Sequence, residues 1–164
     1  VESGAISGSK ADAWKKAMKE EATVADFRAK AEGGDAEAMV KLGFSYRDGL
    51  HGLKKDATQS FMWFKRAVDL KHVDALTACG IAYLHGKGVK VSHTRGLTML
   101  GAAAALGSEH ACGILGRANA EGLYGYDKNP QEATRMYREM QKCDCRGSTE
   151  AGRERAAAWL REHP

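Results

Sequence analysis

Apolar side chains recur along this chain at the three- and four-residue intervals of helices, and one block of positions returns three times. Ala38, Met39, Leu42, Gly43 and Tyr46 form the first stripe. Ala75, Leu76, Cys79, Gly80 and Tyr83 form the second, and Ala111, Cys112, Leu115, Gly116 and Asn119 the third. After a polar, glycine-bearing break each stripe is answered by a second apolar set: Phe61, Phe64 and Ala67, then Leu97, Leu100 and Ala103, then Thr134, Tyr137 and Met140. Gly43 to Gly80 spans 37 residues and Gly80 to Gly116 spans 36. A period of that length belongs to stacked helical hairpins, each closing its apolar face against its neighbours. Glycine inside a helix costs about 1 kcal/mol relative to alanine. Its return at one register therefore implies a partner packed too closely for a side chain.

The pattern predicts paired helices over about 35–48 and 57–70, 73–85 and 92–106, and 108–121 and 130–142. Pro130 suits a first helical turn, where its missing N–H costs nothing. Ahead of these, Ser9 reads as the cap of a helix running to about Glu21, and Thr23 as the cap of a second ending at Gly33. Val24, Phe27 and Ala31 stand 37 residues before Phe61, Phe64 and Val68, so this helix reads as the second half of an incomplete leading repeat. Behind them, Ser148 is placed to cap a last helix with Ala156, Trp159 and Leu160 inward and Glu150, Arg153 and Glu154 toward water. The expected organisation is one α-solenoid domain over 1–164. It comprises N-terminal helices and a partial repeat (1–33), repeats at 34–70, 71–106 and 107–143, and a capping helix at 148–162.

The order Ala-x-x-x-Leu-Gly-x-x-Tyr-x-x-Gly from Ala38 to Gly49, a loop ending in Asp56 and an aromatic helix closing on Lys65-Arg66-Ala67 together resemble the Sel1-like repeat, a relative of the tetratricopeptide repeat. The resemblance runs from about Thr23 to Met140. Unit two departs at Ser92 and Leu100, where that family favours Asp and an aromatic, and unit three at Asn119 and Tyr126. The resemblance implies an all-α fold, a right-handed α/α superhelical solenoid, and a role as an adaptor or subunit of multiprotein assemblies.

Composition agrees with a folded chain: 43% of residues are hydrophobic, 28% are charged and mean hydropathy is -0.46. The net charge of +4 is made of interspersed signs. No basic stripe of the kind that nucleic-acid binding requires is present, so no nucleic-acid partner is expected. No apolar run approaches the roughly 20 residues that cross a bilayer. The chain opens at Val1 without a methionine, which leaves its compartment unread and is compatible with a processed, organelle-targeted or longer parent chain.

Chemistry-bearing residues are sparse in pattern. Cys143 and Cys145 are the sharpest metal candidates, but a structural zinc site needs four ligands and no second pair stands at a suitable spacing. Cys79 and Cys112 fall on core registers. His51, His72, His85, His93, His110 and His163 are spread over loops, caps and the tail. Gly86-Lys87-Gly88 could cradle an anion, yet neither a Walker pattern nor a dinucleotide fingerprint surrounds it. No catalytic set, cofactor or small-molecule substrate is expected. The competing reading is a small metal-dependent or enzymatic domain built on Cys143, Cys145 and a nearby histidine.

By likeness to tetratricopeptide solenoids, the stripe beside each packing stripe would form a concave face. It comprises Glu37, Val40, Phe44, Arg47 and Asp48, then Asp74, Thr77, Ile81, Leu84 and His85, then His110, Gly113, Arg117, Ala120 and Glu121. Helical geometry independently places each set on one side of its helix. Phe44, Ile81 and Leu84 would give an apolar centre with a charged rim, suited to a protein partner laid into the groove as a peptide or helix. The competing reading has Phe44 and Ile81 covered by a neighbouring helix.

Overall fold

The structure, a computed structural model, describes residues 8–142 and 149–163. Its order is α1 (Gly8–Glu32), α2 (Ala36–Asp48), α3 (Ala57–Asp69), α4 (Val73–His85), α5 (His93–Ala105), α6 (Glu109–Glu121), α7 (Pro130–Lys142) and α8 (Glu150–Glu162), with no strand among the described residues. The chain is an all-helical repeat solenoid in which α2–α3, α4–α5 and α6–α7 pair as hairpins, flanked by α1 and α8.

Local chemistry fixes the helix ends. Asp35, Asp56 and Ser108 accept from the backbone N–H groups of Ala38, Gln59 and Ala111, so each caps its helix. Gly49, Gly86 and Gly122 end α2, α4 and α6 at φ of 71°, 67° and 72°, a left-handed turn that glycine adopts without strain. The first helices are then tied to the next in the same way each time. The N–H of Asp56 donates to Tyr46 O, that of Ser92 to Tyr83 O and that of Asn129 to Asn119 O, at 2.9, 2.9 and 2.8 Å. Asn119, a departure from the repeat pattern, keeps this bond because the backbone makes it.

The recurring helix glycines do what their register implies. A Cβ on Gly43 would stand 2.5 Å from the Phe64 ring, one on Gly80 2.8 Å from Leu100, and one on Gly116 2.6 Å from the Tyr137 ring. One large side chain of each second helix thus packs against the bare backbone of its first helix. Leu100 occupies the place that aromatics take in the other two units. Between hairpins, Thr77 Oγ1 lies 2.9 Å from Ser108 Oγ, which joins unit two to the cap of α6.

Three expectations are corrected. The break expected between Glu21 and Thr23 is absent: α1 is continuous, and Thr23 Oγ1 donates to Lys19 O within the helix instead of capping a new one. The helix also begins at Gly8, before the expected cap at Ser9. The cap of α8 is Thr149, which accepts from Gly152 N, while the expected cap Ser148 lies outside the described residues. Arg153 is exposed as expected, and it also reaches across to α6: its Nε and Nη2 donate to the two carboxylate oxygens of the buried Glu109 at 2.7 and 2.9 Å. With Ala156 buried and Trp159 Nε1 donating to Thr134 Oγ1, this pair seats α8 on both α6 and α7.

Candidate functional site

The first helices present one side to two adjoining depressions that share Ile81 and His110. The first, about 450 Å³, is bounded by Phe44, Arg47, Asp74, Thr77 and the turn at Leu106-Gly107. The second, about 260 Å³, is bounded by Leu84, His85 and Tyr124 on one side and Gly113, Arg117 and the start of α8 on the other.

Phe44 is half-buried, set edge-on to Phe64 at 5.0 Å between ring centroids. Arg47 stacks over the Phe44 ring at 4.6 Å while holding Asp48 in a two-pronged pair of 2.9 and 2.7 Å. That hydrogen bond lowers the Asp48 carboxyl below its ordinary value, so the pair stays charged at neutral pH. Ile81 is half-buried and exposes part of its side chain to both depressions. His110 is exposed at the shared edge of the two depressions, and partial desolvation there, then the Arg47 charge, hold it somewhat below the ordinary histidine value against the opposing pull of Asp74 and Glu109. At neutral pH its ring is therefore an uncharged donor and acceptor in the middle of the groove.

Other members of the expected concave set stand elsewhere. Val40 is 3% exposed and belongs to the core around Leu42 and Phe64, so it is not available to a partner. Thr77 and Leu84 are buried and form floor, with the Thr77 hydroxyl bonded to Val73 O and Ser108. Glu37 is exposed but turned to Lys41 at 3.4 Å and His72 at 3.2 Å, away from both depressions. Asp48 and Glu121 are exposed beyond the lining, while Asp74, His85 and Arg117 border it. Sequence reasoning missed Ile114, Tyr124, Tyr137, Met140 and Arg155, which complete the second depression. One signal was available. Gly113 occupies the register that holds Val40 in α2 and Thr77 in α4, and a missing side chain there leaves space.

A furrow on the opposite side, between α5 and α7, has less to offer a ligand, because its charges already satisfy each other. Arg135 pairs with Glu132 at 2.9 Å through Nε, and Glu139 with Lys142 at 2.7 Å. Cys79 is fully buried, and desolvation pushes its thiol up to about 12, as for an inert core residue. Cys143 and Cys145 lie outside the described residues. Among the described residues no three His, Cys, Asp or Glu side chains gather as a metal site, and no helix is long and apolar enough to cross a membrane.

This hairpin architecture has known counterparts. A Sel1 repeat protein from Oxalobacter formigenes superposes with a TM-score of 0.62 and 30% identity, over 66% of this chain and 43% of that one. A protective antigen of uropathogenic Escherichia coli displaying an SLR fold gives a TM-score of 0.67 and 28% identity, over 73% of this chain and 25% of that one. In sequence, 58 residues are 40% identical to the ERAD-associated E3 ubiquitin-protein ligase component HRD3A of Arabidopsis thaliana, which is 35% of this chain and 9% of that protein. The chain spans less than half the length of each of these relatives. Sel1 repeats generally serve as protein–protein interaction modules. The Sel1 repeat profile matches residues 36–72, 73–108 and 110–140, more than half of the sequence, and the chain therefore belongs to the Sel1 repeat family.

Proposed function

We propose that this chain is a non-catalytic adaptor that holds a partner polypeptide along the concave side of α2, α4 and α6, as a scaffolding or peripheral subunit of a multiprotein assembly. The observation that carries the reading is the gathering of Phe44, Arg47, Ile81, His110 and Arg117 around one groove whose centre is apolar and whose rim is charged. A groove of that kind suits an extended or helical segment anchored by a few apolar side chains. The likeness to a component of an E3 ubiquitin-protein ligase supports a subunit role. The paired charges of the α5–α7 furrow favour the first-helix side.

The test is affinity capture from the producing cells with the intact chain and two surface variants. Ile81→Glu, in the groove, is expected to lose the captured partner, whereas Met62→Glu, exposed on α3, is expected to retain it. Circular dichroism confirms that both variants fold. Loss with Met62→Glu alone overturns the reading.

A further inference from the structure

The pocket between α4, α6 and α8 holds a polar group that the described residues leave unanswered. Tyr137 is 2% exposed, its ring pinned on the bare backbone of Gly116, yet its hydroxyl makes no hydrogen bond with any described residue. Tyr137 lines the cavity, and its hydroxyl is not sealed from solvent. At the same register the other hairpins carry Phe64 and Leu100, which pack as well without an oxygen. Packing therefore does not explain the hydroxyl.

Arg155 and Arg117 line the same cavity and act electrostatically on that phenol, with Glu121 opposing them. Among the described residues no carboxylate lies within ion-pair distance of either guanidinium. The N-terminal turn of α8, at Thr149 and Gly152, forms another part of the wall, and a helix N-terminus favours negative charge. Among the acids nearby, Glu109 is held by Arg153, Asp74 borders the neighbouring depression, and Glu121 is exposed outside the lining. Across the cavity stand Ile81 and Ile114, both half-buried.

We propose that this pocket receives an acidic side chain of the partner polypeptide, its carboxylate accepting from the Tyr137 hydroxyl and from the Arg117 and Arg155 guanidiniums while an adjacent apolar side chain lies on Ile81 and Ile114. The inference rests on the groove reading and names the chemistry of its occupant. Convergent charged donors around a carboxylate give strong, oriented recognition, and the apolar wall adds a second requirement for a match.

The test is selection of a randomised dodecapeptide display library on the intact chain, followed by fluorescence anisotropy of the selected peptides. Asp or Glu beside a Leu, Ile or Phe is expected to be enriched. Tyr137→Phe, Arg117→Gln and Arg155→Gln are each expected to weaken binding by about ten-fold. That loss is expected to vanish when the peptide's acid is replaced by its amide, a dependence that a merely structural role would not produce. Selected peptides without acidic enrichment, or indifferent to Tyr137→Phe and the arginine variants but lost with Ile81→Glu, overturn the acidic pocket and leave the groove. Selected peptides indifferent to Ile81→Glu overturn the groove itself. Displacement of the peptide by a single-stranded oligonucleotide at equal concentration also overturns the inference, because it transfers the pocket to polyphosphate ligands.

Discussion

Gly80 and Gly101 sit on the two helices of one hairpin and are expected to answer alanine in opposite ways. A Cβ on Gly80 would stand 2.8 Å from Leu100 Cγ and 3.1 Å from the carbonyl oxygen of Gly96, whereas one on Gly101 meets nothing within 4 Å. Alanine at either site gains about 1 kcal/mol of helix preference. At Gly80 overpacking, about 1–3 kcal/mol, outweighs that gain. Thermal melts should therefore show Gly80→Ala destabilised and Gly101→Ala stabilised, with Gly80→Leu worse still by several-fold over Lys41→Ala. At His110 the folded environment favours the neutral ring, so as pH falls through the ordinary histidine range the unfolded chain takes up its proton first. The stability held above that range is lost as pH drops toward the folded value. Denaturant melts between about pH 7.5 and 5.5 should show a decline that His110→Gln reduces.

Element boundaries were legible where a cap and a left-handed glycine bracket a periodic run, as Asp35 and Gly49 bracket α2. They were illegible where one local signal had two physical outcomes. Thr23 followed by Asp26 reads as a cap, but a threonine hydroxyl can equally bond the carbonyl four residues back, and nothing near Ala22 interrupts the helix. The contact from Arg153 to Glu109 was illegible for a different reason: the two lie 44 residues apart, and no spacing rule reaches that far. The pair makes a prediction for α8. Arg153→Met should loosen that helix from α6, seen as faster amide exchange across Glu150–Glu162. Glu109→Gln in the same chain should restore part of the protection, because the buried charge no longer needs its partner. His72 is the odd cap among the first helices: it makes no side-chain cap bond to α4, and its Nδ1 is buried without a partner among the described residues. His72→Ser, copying Ser108, is expected to stabilise the fold by about 1 kcal/mol, less the exposed contact to Glu37.

For the whole molecule, the repeat period carried the architecture, since each glycine register named in advance receives a side chain of the following helix. The groove was only partly legible. Helical spacing gathers Phe44, Ile81 and His110 on one side, but it cannot separate a residue at the helix–helix seam from one just outside it, and Val40 fell inside. Nor could it supply Arg155 and Tyr137, which reach the same cavity from α8 and α7. Filling that cavity separates stability from binding. Gly113→Ala sets a Cβ 3.2 Å from the flexible Met140 sulfur, so it should hold or raise the melting temperature while weakening peptide capture. The most direct test of the account is site-specific photo-cross-linking in the producing cells, with a photoreactive phenylalanine analogue at position 110 in the groove or at position 62 on α3. Cross-links to a partner polypeptide from position 110 and not from 62 are predicted; partner cross-links from 62 with none from 110 would contradict it.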